Sequence, residues 1–206
     1  GVDAIIAQGA EAGGHVRGHI SLSAFLPVVV EAVKPVPVIA SGGIADGRGV
    51  AAALASGAQA VSMGTRFLAS VETGAHNEYK RRIVASNCED TVRTTLFDVG
   101  WPNADHRVLR SHALTDWEQA GEPQPGERPG EGKSVGTMQM MGKVILVPKY
   151  SVFPPMESFV GDVEDMVLYA GESCGLIRDI KPAGQIVREI SSQAETVLKE
   201  LVTLCV

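Results

Sequence analysis

Residues 7–15 read Ala-Gln-Gly-Ala-Glu-Ala-Gly-Gly-His, and residues 40–49 read Ala-Ser-Gly-Gly-Ile-Ala-Asp-Gly-Arg-Gly. A third stretch, residues 62–67, reads Ser-Met-Gly-Thr-Arg-Phe. Each of the three follows a short apolar run that is bounded by glycine or proline. Such runs are typical of strands that are buried on both faces of a parallel sheet. We therefore predict three short strands, each ending in a glycine-rich turn.

Helical patterns separate the three predicted strands. Residues 21–33 predict a helix whose N-cap is Ser21 or Ser23. Asp46 predicts the N-cap of a second helix that ends before Gly57. Strand, helix, strand, helix, strand with short connections is typical of right-handed βαβ units. The fold class we predict is α/β with a parallel sheet.

The glycine-rich turns also predict a binding edge. Ligands of parallel α/β sheets lie at the carboxyl ends of the strands, where glycine lets backbone N–H groups approach an anion. Gly42 and Gly43 end one strand, and the following helix N-terminus favours negative charge. Gly64 and Thr65 end the next strand and offer another N–H and a hydroxyl. Neighbouring turns of this kind predict a phosphate site, whereas two tight turns with no ligand are the structural alternative.

One histidine faces the same predicted edge. His15 follows two glycines and titrates near neutral pH, so it can accept or donate a proton there. A loop histidine bonded to backbone is the alternative on position alone. His19 stands four residues later, but the loop is not helical and holds no third ligand, so we predict no metal site. His106 lies outside this edge, and we expect it to be a surface or structural residue.

Composition excludes several classes of partner. The 206 residues are 45% hydrophobic and 20% charged, with 18 basic and 24 acidic residues and a net charge of −6. The chain has no basic field for nucleic acid or an anionic membrane, and its apolar runs are too short to span a bilayer. Its three cysteines are far apart and odd in number, so we expect a reducing, cytoplasmic setting without a disulfide framework or a zinc site.

The remainder of the chain has a different character. We predict that residues 1–75 form a barrel part, 76–170 a mostly helical subdomain with irregular loops, and 171–206 a terminal segment whose helix packs back on the barrel. Within the subdomain we expect helices at 76–86 and 161–170, and an exposed loop at 121–134 that is too polar to have a core. Apolar residues recur at helical spacing along the terminal helix, which we predict for residues 182–205.

Three motifs in order resemble the nitronate monooxygenases, once called 2-nitropropane dioxygenases. They are residues 7–15, residues 37–44 (Pro-Val-Ile-Ala-Ser-Gly-Gly-Ile) and residues 62–68 (Ser-Met-Gly-Thr-Arg-Phe-Leu). The resemblance is close over residues 1–68, and looser at 97–102 and 169–173. It implies a TIM (β/α)₈ barrel with an FMN cofactor and a smaller, mainly helical subdomain.

The resemblance also implies roles for individual residues. His15 would be the active-site histidine, which orients an anionic nitronate or removes a carbon-bound proton from a neutral nitroalkane. Gln8 and Gly13 would touch the flavin. The whole set of cofactor-binding residues that we predict is Gln8, Gly13, Gly14, Ser41, Gly42, Gly43, Ser62, Met63, Gly64 and Thr65.

The implied reaction oxidises a nitronate with O₂ to a carbonyl compound and nitrite. A flavin-dependent enoyl-acyl-carrier-protein reductase of the same superfamily is a close alternative, because it shares much of the glycine pattern. A barrel fragment that is inactive and only binds a phosphate ligand or a partner is another. An IMP dehydrogenase-like barrel needs a loop cysteine as nucleophile, and no cysteine precedes Cys88.

A complete barrel of this type needs eight strands and about 250 residues. We count three strands before Phe67 and expect them to be the last three βα units of the barrel. Open strand edges and apolar helix faces would then need cover. We expect this cover to come from a missing N-terminal half or from a homo-oligomer.

Overall fold

The computed structural model describes residues 1–204. It contains nine strands and six α-helices, with 3₁₀ turns at Cys88–Asp90, Val163–Asp165 and Glu172–Leu176. In chain order the elements are β1 (Ile5–Gln8), β2 (Gly14–His15), α1 (Leu22–Val33), β3 (Val38–Ser41), α2 (Gly47–Ala55), β4 (Ala60–Ser62), α3 (Thr65–Leu68), α4 (Asn77–Ala85), β5 (Thr91–Thr94), β6 (His106–Leu109), α5 (His112–Gln119), β7 (Ser134–Met140), β8 (Lys143–Pro148), β9 (Val160–Gly161) and α6 (Ala183–Leu204).

The first part of the chain forms the predicted parallel sheet. Strands β1, β3 and β4 lie side by side in that order, and both pairs are parallel. The register places Gln8, Ser41 and Ser62 in one row at the carboxyl end of the sheet. Because side chains alternate along a strand, these three fall on one face, while Ala7 and Ala40 are buried on the other, within the apolar cluster that α1 and α2 help to form.

Carboxylate side chains accept hydrogen bonds at the N-termini of α1 and α2. Asp46 caps α2 as predicted, since its Oδ1 accepts hydrogen bonds from the backbone N–H groups of Arg48 (3.0 Å) and Gly49 (3.1 Å). Ser21 is the N-cap residue of α1, one of the two positions predicted, but its side chain makes no capping hydrogen bond. Instead the carboxylate of Glu11 accepts from Leu22 N at 3.0 and 3.1 Å. Residues 9–15 are thereby tied to the start of α1.

Residues 76–170 are richer in strand than in helix, so the prediction of a mostly helical subdomain was wrong. Strands β5 and β6 form an antiparallel sheet with β2, and β7, β8 and β9 form another. The turn between β7 and β8 is Met141–Gly142, where both residues have positive φ (50° and 76°). Two consecutive residues with positive φ match the twist of a hairpin. Between 161 and 170 only the 3₁₀ turn forms, although Asp162 caps it by accepting from Glu164 N.

The polar loop at 121–134 is anchored rather than uniformly exposed. Arg128 within it is only 6% exposed. Its guanidinium donates to Asp98 Oδ1 (2.8 Å), to Leu96 O (2.9 Å) and to Glu131 Oε1 (2.5 Å). It also lies 4.6 Å from the centre of the Tyr150 ring. A buried cation therefore helps to tie this loop to the body of the protein, a feature that the polar composition did not indicate.

The terminal helix packs back on the first part of the chain, as expected. Ile186, Ile190 and Ala194 are buried on α6. The helix crosses α2 so closely that a Cβ on Gly47 would lie 2.4 Å from Ala194 N. Farther along, Leu201 is 44% exposed, so the apolar stripe is buried only in its first half. Cys205, the last residue of the predicted helix, lies outside the described residues.

One hydrophobic core joins the three predicted segments, because Ala69, Tyr79 and Ile177 belong to the same buried cluster. None of the helices within residues 1–204 combines the length and the hydropathy that crossing a membrane requires.

Candidate functional site

A cavity of about 290 Å³ lies at the carboxyl end of the parallel sheet. All eleven predicted site residues line it, including His15 and the row formed by Gln8, Ser41 and Ser62. Five further residues complete the lining, and sequence reasoning assigned no role to any of them: Ala12, Ile44, Leu68, Tyr169 and Ser173. Tyr169 and Ser173 fall in the looser part of the family motif, which was the one signal that could have pointed to them.

Glycine backbone forms one wall of this cavity. Gly42 and Gly43 have φ of +99° and +70°, a conformation that glycine adopts without steric cost. Their N–H groups, like that of Gly64, have no hydrogen-bond acceptor within residues 1–204. A Cβ added at Gly64 would meet no atom within 4 Å, so the space in front of this residue is open. Free N–H groups around open space form a site suited to an anion.

The first turn of α2 does not contribute to this anion site, contrary to the prediction. Asp46 already accepts from two of its N–H groups, and Gln193 Oε1 accepts from Gly47 N at 2.7 Å. The carboxylate of Asp46 also places a negative charge at this end of α2. The predicted phosphate contacts are therefore restricted to the two glycine turns themselves.

The two arginines near the glycine turns make internal ion pairs. Arg66 is buried and bonds to the carboxylate and the backbone carbonyl of Asp179. Arg48 is exposed and pairs with Asp46. Neither arginine lines the cavity, whose lining contains no lysine or arginine side chain. Backbone N–H groups and hydroxyls are the donors that the cavity offers to a bound anion.

The floor of the cavity depends on the close crossing of two chain segments. A Cβ on Gly13 would lie 2.3 Å from Gly171 N, so only glycine fits at this position. Gly171 N in turn donates to Thr65 Oγ1 at 3.0 Å. Because this oxygen accepts from the backbone, its own proton remains available for a ligand. The crossing thus orients the Thr65 hydroxyl into the cavity.

The side chain of Gln8 holds the segment that carries His15. Its Nε2 donates to the backbone carbonyl of His15 at 3.1 Å. The last residue of β1 therefore holds the backbone of His15, in addition to lining the cavity.

His15 lies among three aromatic rings. The indole of Trp101 stacks on it, with ring centres 4.3 Å apart and an angle of 25°. Tyr169 and His106 each lie 5.6 Å away, at angles of 44° and 62°. Nε2 of His15 is buried and has no hydrogen-bond partner among the described residues. Burial lowers the pKa of His15 below its usual 6.5, so the ring is neutral at physiological pH.

His106 is buried beside His15. Of our two expectations for it, a surface residue or a structural one, the surface residue was wrong. It is 1% exposed, and β2 pairs with β6 so that His15 and His106 are direct cross-strand neighbours. The Ala104 carbonyl lies 2.9 Å from Nδ1, and Phe97 N donates to Nε2 at 3.4 Å. These partners are matched by a neutral ring with its proton on Nδ1. Burial lowers the pKa of His106 as well.

No group of three or more histidine, cysteine, aspartate or glutamate side chains within residues 1–204 is arranged to hold a metal ion. Cys174 is buried, which raises the pKa of its thiol to about 11, and it does not line the cavity. The polar groups that the cavity offers are therefore one neutral imidazole, the carboxamide of Gln8, hydroxyls and backbone N–H groups.

Comparison with known proteins relates this cavity to one family. The model of the family described as nitronate monooxygenase matches residues 1–193. A nitronate monooxygenase of Metarhizium robertsii is 33% identical over 213 aligned positions, which cover 97% of this chain and 54% of that protein.

Two solved structures share the fold. FabK from Thermotoga maritima is 33% identical, with a TM-score of 0.76 over 99% of this chain and 58% of its own. A nitroalkane oxidase from Streptomyces ansochromogenes is 29% identical, with a TM-score of 0.69 over 98% of this chain and 54% of its own. The chain spans only about half the length of each of these relatives.

Proposed function

Because this chain belongs to the nitronate monooxygenase family, we propose that it forms the phosphate-binding and catalytic edge of an FMN-dependent oxidoreductase. Its reaction would be the oxidation of an alkyl nitronate with O₂ to a carbonyl compound and nitrite. The observation that carries this proposal is the gathering of His15, the row of Gln8, Ser41 and Ser62, and the glycine turns around one cavity.

The lining of the cavity fits a flavin phosphate. The open space in front of Gly64 and the free N–H groups of Gly42 and Gly43 form a cradle that a side chain would fill. Gly43 and residues 62–65 would hold the phosphate end, while Gln8 and Gly13 would contact the flavin ring. When bound, FMN would supply the one-electron chemistry of the oxidation.

His15 would act on the substrate. Nε2 of His15 has no partner among residues 1–204, and in the neutral tautomer with its proton on Nδ1 this atom would accept a proton from the carbon of a nitroalkane. On an anionic nitronate the same ring would instead orient the substrate through its N–H. Burial keeps the ring neutral to lower pH than an exposed histidine, which extends its range as a base.

We further propose that the three βα units are the last three of an eight-stranded barrel. Neither β1 nor β4 has a second neighbouring strand within residues 1–204. Ile6 on the inner face of β1 is 60% exposed, beside Ile39 and Ala60 in the same row. Further strands, from an N-terminal half or from another copy of the chain, would cover this face. The cysteine usage favours a reducing cytoplasmic setting for the whole assembly.

A substitution at Gly64 tests the cofactor site. Gly64→Ala adds a methyl group to open space at a φ of −84°, so we expect unchanged thermal unfolding but weaker FMN binding, measured by flavin fluorescence. Gly74→Ala is the matched control, since its Cβ would make only an ordinary contact with Met156 Cε, at 3.5 Å. Equal FMN affinity of both variants would contradict the assignment of the phosphate site.

Nitrite formation tests the reaction. The chain, supplemented with strands that complete the barrel, is mixed with FMN and an alkyl nitronate, and nitrite is quantified. His15→Ala is expected to abolish most of the nitrite formation. His112→Ala, which replaces an exposed histidine on α5, is expected to leave nitrite formation unchanged. Consumption of a reduced nicotinamide with an enoyl thioester, without nitrite, would instead identify the enoyl-acyl-carrier-protein reductase alternative. FMN binding without either reaction would indicate the inactive form.

A further inference from the structure

We propose that Trp101 is a specificity-determining residue. Its indole covers the imidazole of His15, so that short-chain nitronates reach this ring more readily than bulky ones. The proposal rests on the function proposed above, because it concerns the substrate that reaches His15. It is based on the difference between the three aromatic walls around this histidine.

Two of the three walls are fixed by hydrogen bonds. Both ring nitrogens of His106 have backbone partners, Ala104 O and Phe97 N. The hydroxyl of Tyr169 donates to Val152 O at 3.0 Å. Both rings are part of packed structure, so neither can move without breaking a buried hydrogen bond.

The third wall, Trp101, is not held by a side-chain hydrogen bond. Its side chain makes no hydrogen bond within residues 1–204, and the residue is 57% exposed. Its backbone, by contrast, is held: Trp101 N donates to Asp98 O at 3.0 Å, and Val99 pairs with Ser151. Gly100 between them has a φ of +109°. Hydrogen bonds therefore hold the backbone of this turn, and rotation of the indole is the movement that would uncover the face of His15 on which it stacks.

Rotation of the indole would open Nε2 of His15, which has no hydrogen-bond partner among residues 1–204, to a ligand. A buried polar atom without a partner is rare and costs free energy that a bound ligand can recover. With the indole stacked on the ring, Nε2 is shielded from solvent. A small nitronate needs only a small displacement of Trp101, whereas a long or branched alkyl chain must displace the indole completely. Trp101 therefore selects against bulky substrates.

Chemical modification of His15 tests the cover without any enzymatic activity. The rate of carbethoxylation by diethyl pyrocarbonate is measured by peptide mass spectrometry in the 206-residue chain, with the exposed His112 as internal reference. Trp101→Ala is expected to accelerate modification of His15 several-fold and to leave His112 unchanged. Trp101→Phe retains a stacking ring and is expected to restore most of the protection. Trp101→Gln provides a second variant of similar length without an aromatic face.

An unchanged His15 rate in both Trp101→Ala and Trp101→Gln would overturn the proposal. Kinetics then test selection: in nitrite-forming enzyme, Trp101→Ala is expected to raise kcat/KM for a long-chain nitronate relative to a short-chain one. An unchanged ratio would also overturn it. Absence of nitrite from every form, the unsubstituted chain included, would count against the proposed reaction alone, because the modification rates decide whether Trp101 covers His15.

Discussion

The cavity at the sheet edge and the ion cluster around Arg128 show two ways of building a fixed structure. The cavity uses backbone: glycines with positive φ, close crossings and free N–H groups. The cluster uses side chains: the buried guanidinium of Arg128 lies between Asp98 and Glu131, two carboxylates that are far apart in sequence. The cavity leaves backbone donors without acceptors, whereas the cluster pairs its charges through the two terminal nitrogens of Arg128 and leaves only Nε of that guanidinium without a partner among residues 1–204. The first arrangement suits binding, and the second suits stability.

Removal of the central cation should have the largest effect. Arg128→Met leaves two carboxylates without their partner, and breaking a buried ion pair costs about 3–5 kcal/mol. The control is Arg110→Met, which removes an exposed pair with Glu118 and should cost roughly 0–1 kcal/mol. Urea unfolding measures both. Equal losses would show that burial does not distinguish the two ion pairs.

A methyl group at the chain crossing should have the next largest effect. Gly13→Ala places a Cβ 2.3 Å from Gly171 N, and the resulting overpacking should cost about 1–3 kcal/mol. The same change at Gly64 is expected to leave stability unaltered. Thermal unfolding of the pair compares a structural glycine with a binding glycine in one cavity. Similar melting temperatures of Gly13→Ala and Gly64→Ala would contradict the close approach of Gly13 to Gly171.

The ion cluster should also give the stability of the protein a pH dependence in the acidic range. The Arg128 guanidinium lowers the pKa of Glu131 from 4.5 to about 2. A carboxyl whose pKa is lowered on folding stabilises the protein above its unfolded pKa. This stabilisation should therefore be lost as the pH falls from about 4.5 to about 2. Unfolding free energies of Glu131→Gln should show a flatter pH dependence in this window. If the free energy of unfolding of Glu131→Gln changed with pH in parallel with that of the unsubstituted protein, the stabilising role of the Arg128–Glu131 pair would be contradicted.

The smallest effect is expected at Arg48, on the border of the cavity region. Its guanidinium is exposed and, within residues 1–204, pairs only with Asp46. Arg48→Ala should leave FMN affinity unchanged, because the proposed phosphate site relies on backbone donors. A marked loss of affinity in fluorescence titration would mean that the bound phosphate recruits this side chain.

The same contrast explains what could be predicted from the sequence. The three parallel strands and their glycine turns follow from local patterns, since each turn directly succeeds its strand, and the family resemblance completed the set of eleven lining residues. Trp101, His106 and Tyr169 reach His15 from segments far along the chain, and no local pattern marks such contacts. The burial of Arg128 was missed for the same reason, because a polar loop with one anchored cation has the composition of a free loop.

The β7–β8 hairpin was missed for another reason. Its turn, Met141–Gly142, needs a positive φ at a methionine, a residue that rarely adopts it. Only the glycine signalled a turn, and the flanking strand is partly exposed rather than regularly alternating. Sheet pairing, not intrinsic preference, decides the structure there.

The crossing of Gly13 with Gly171 has a consequence for the order of folding. It joins the first loop of the chain to a segment near its end, and the bond from Gly171 N to Thr65 ties a third segment to both. Contacts between such distant segments form late, because the entropy of closing a long loop must be lost before they stabilise anything. A half-synthesised or partly unfolded chain thus lacks the cavity floor altogether. Any ligand bound there would stabilise the completely folded chain over every intermediate, which makes ligand binding a report on complete folding.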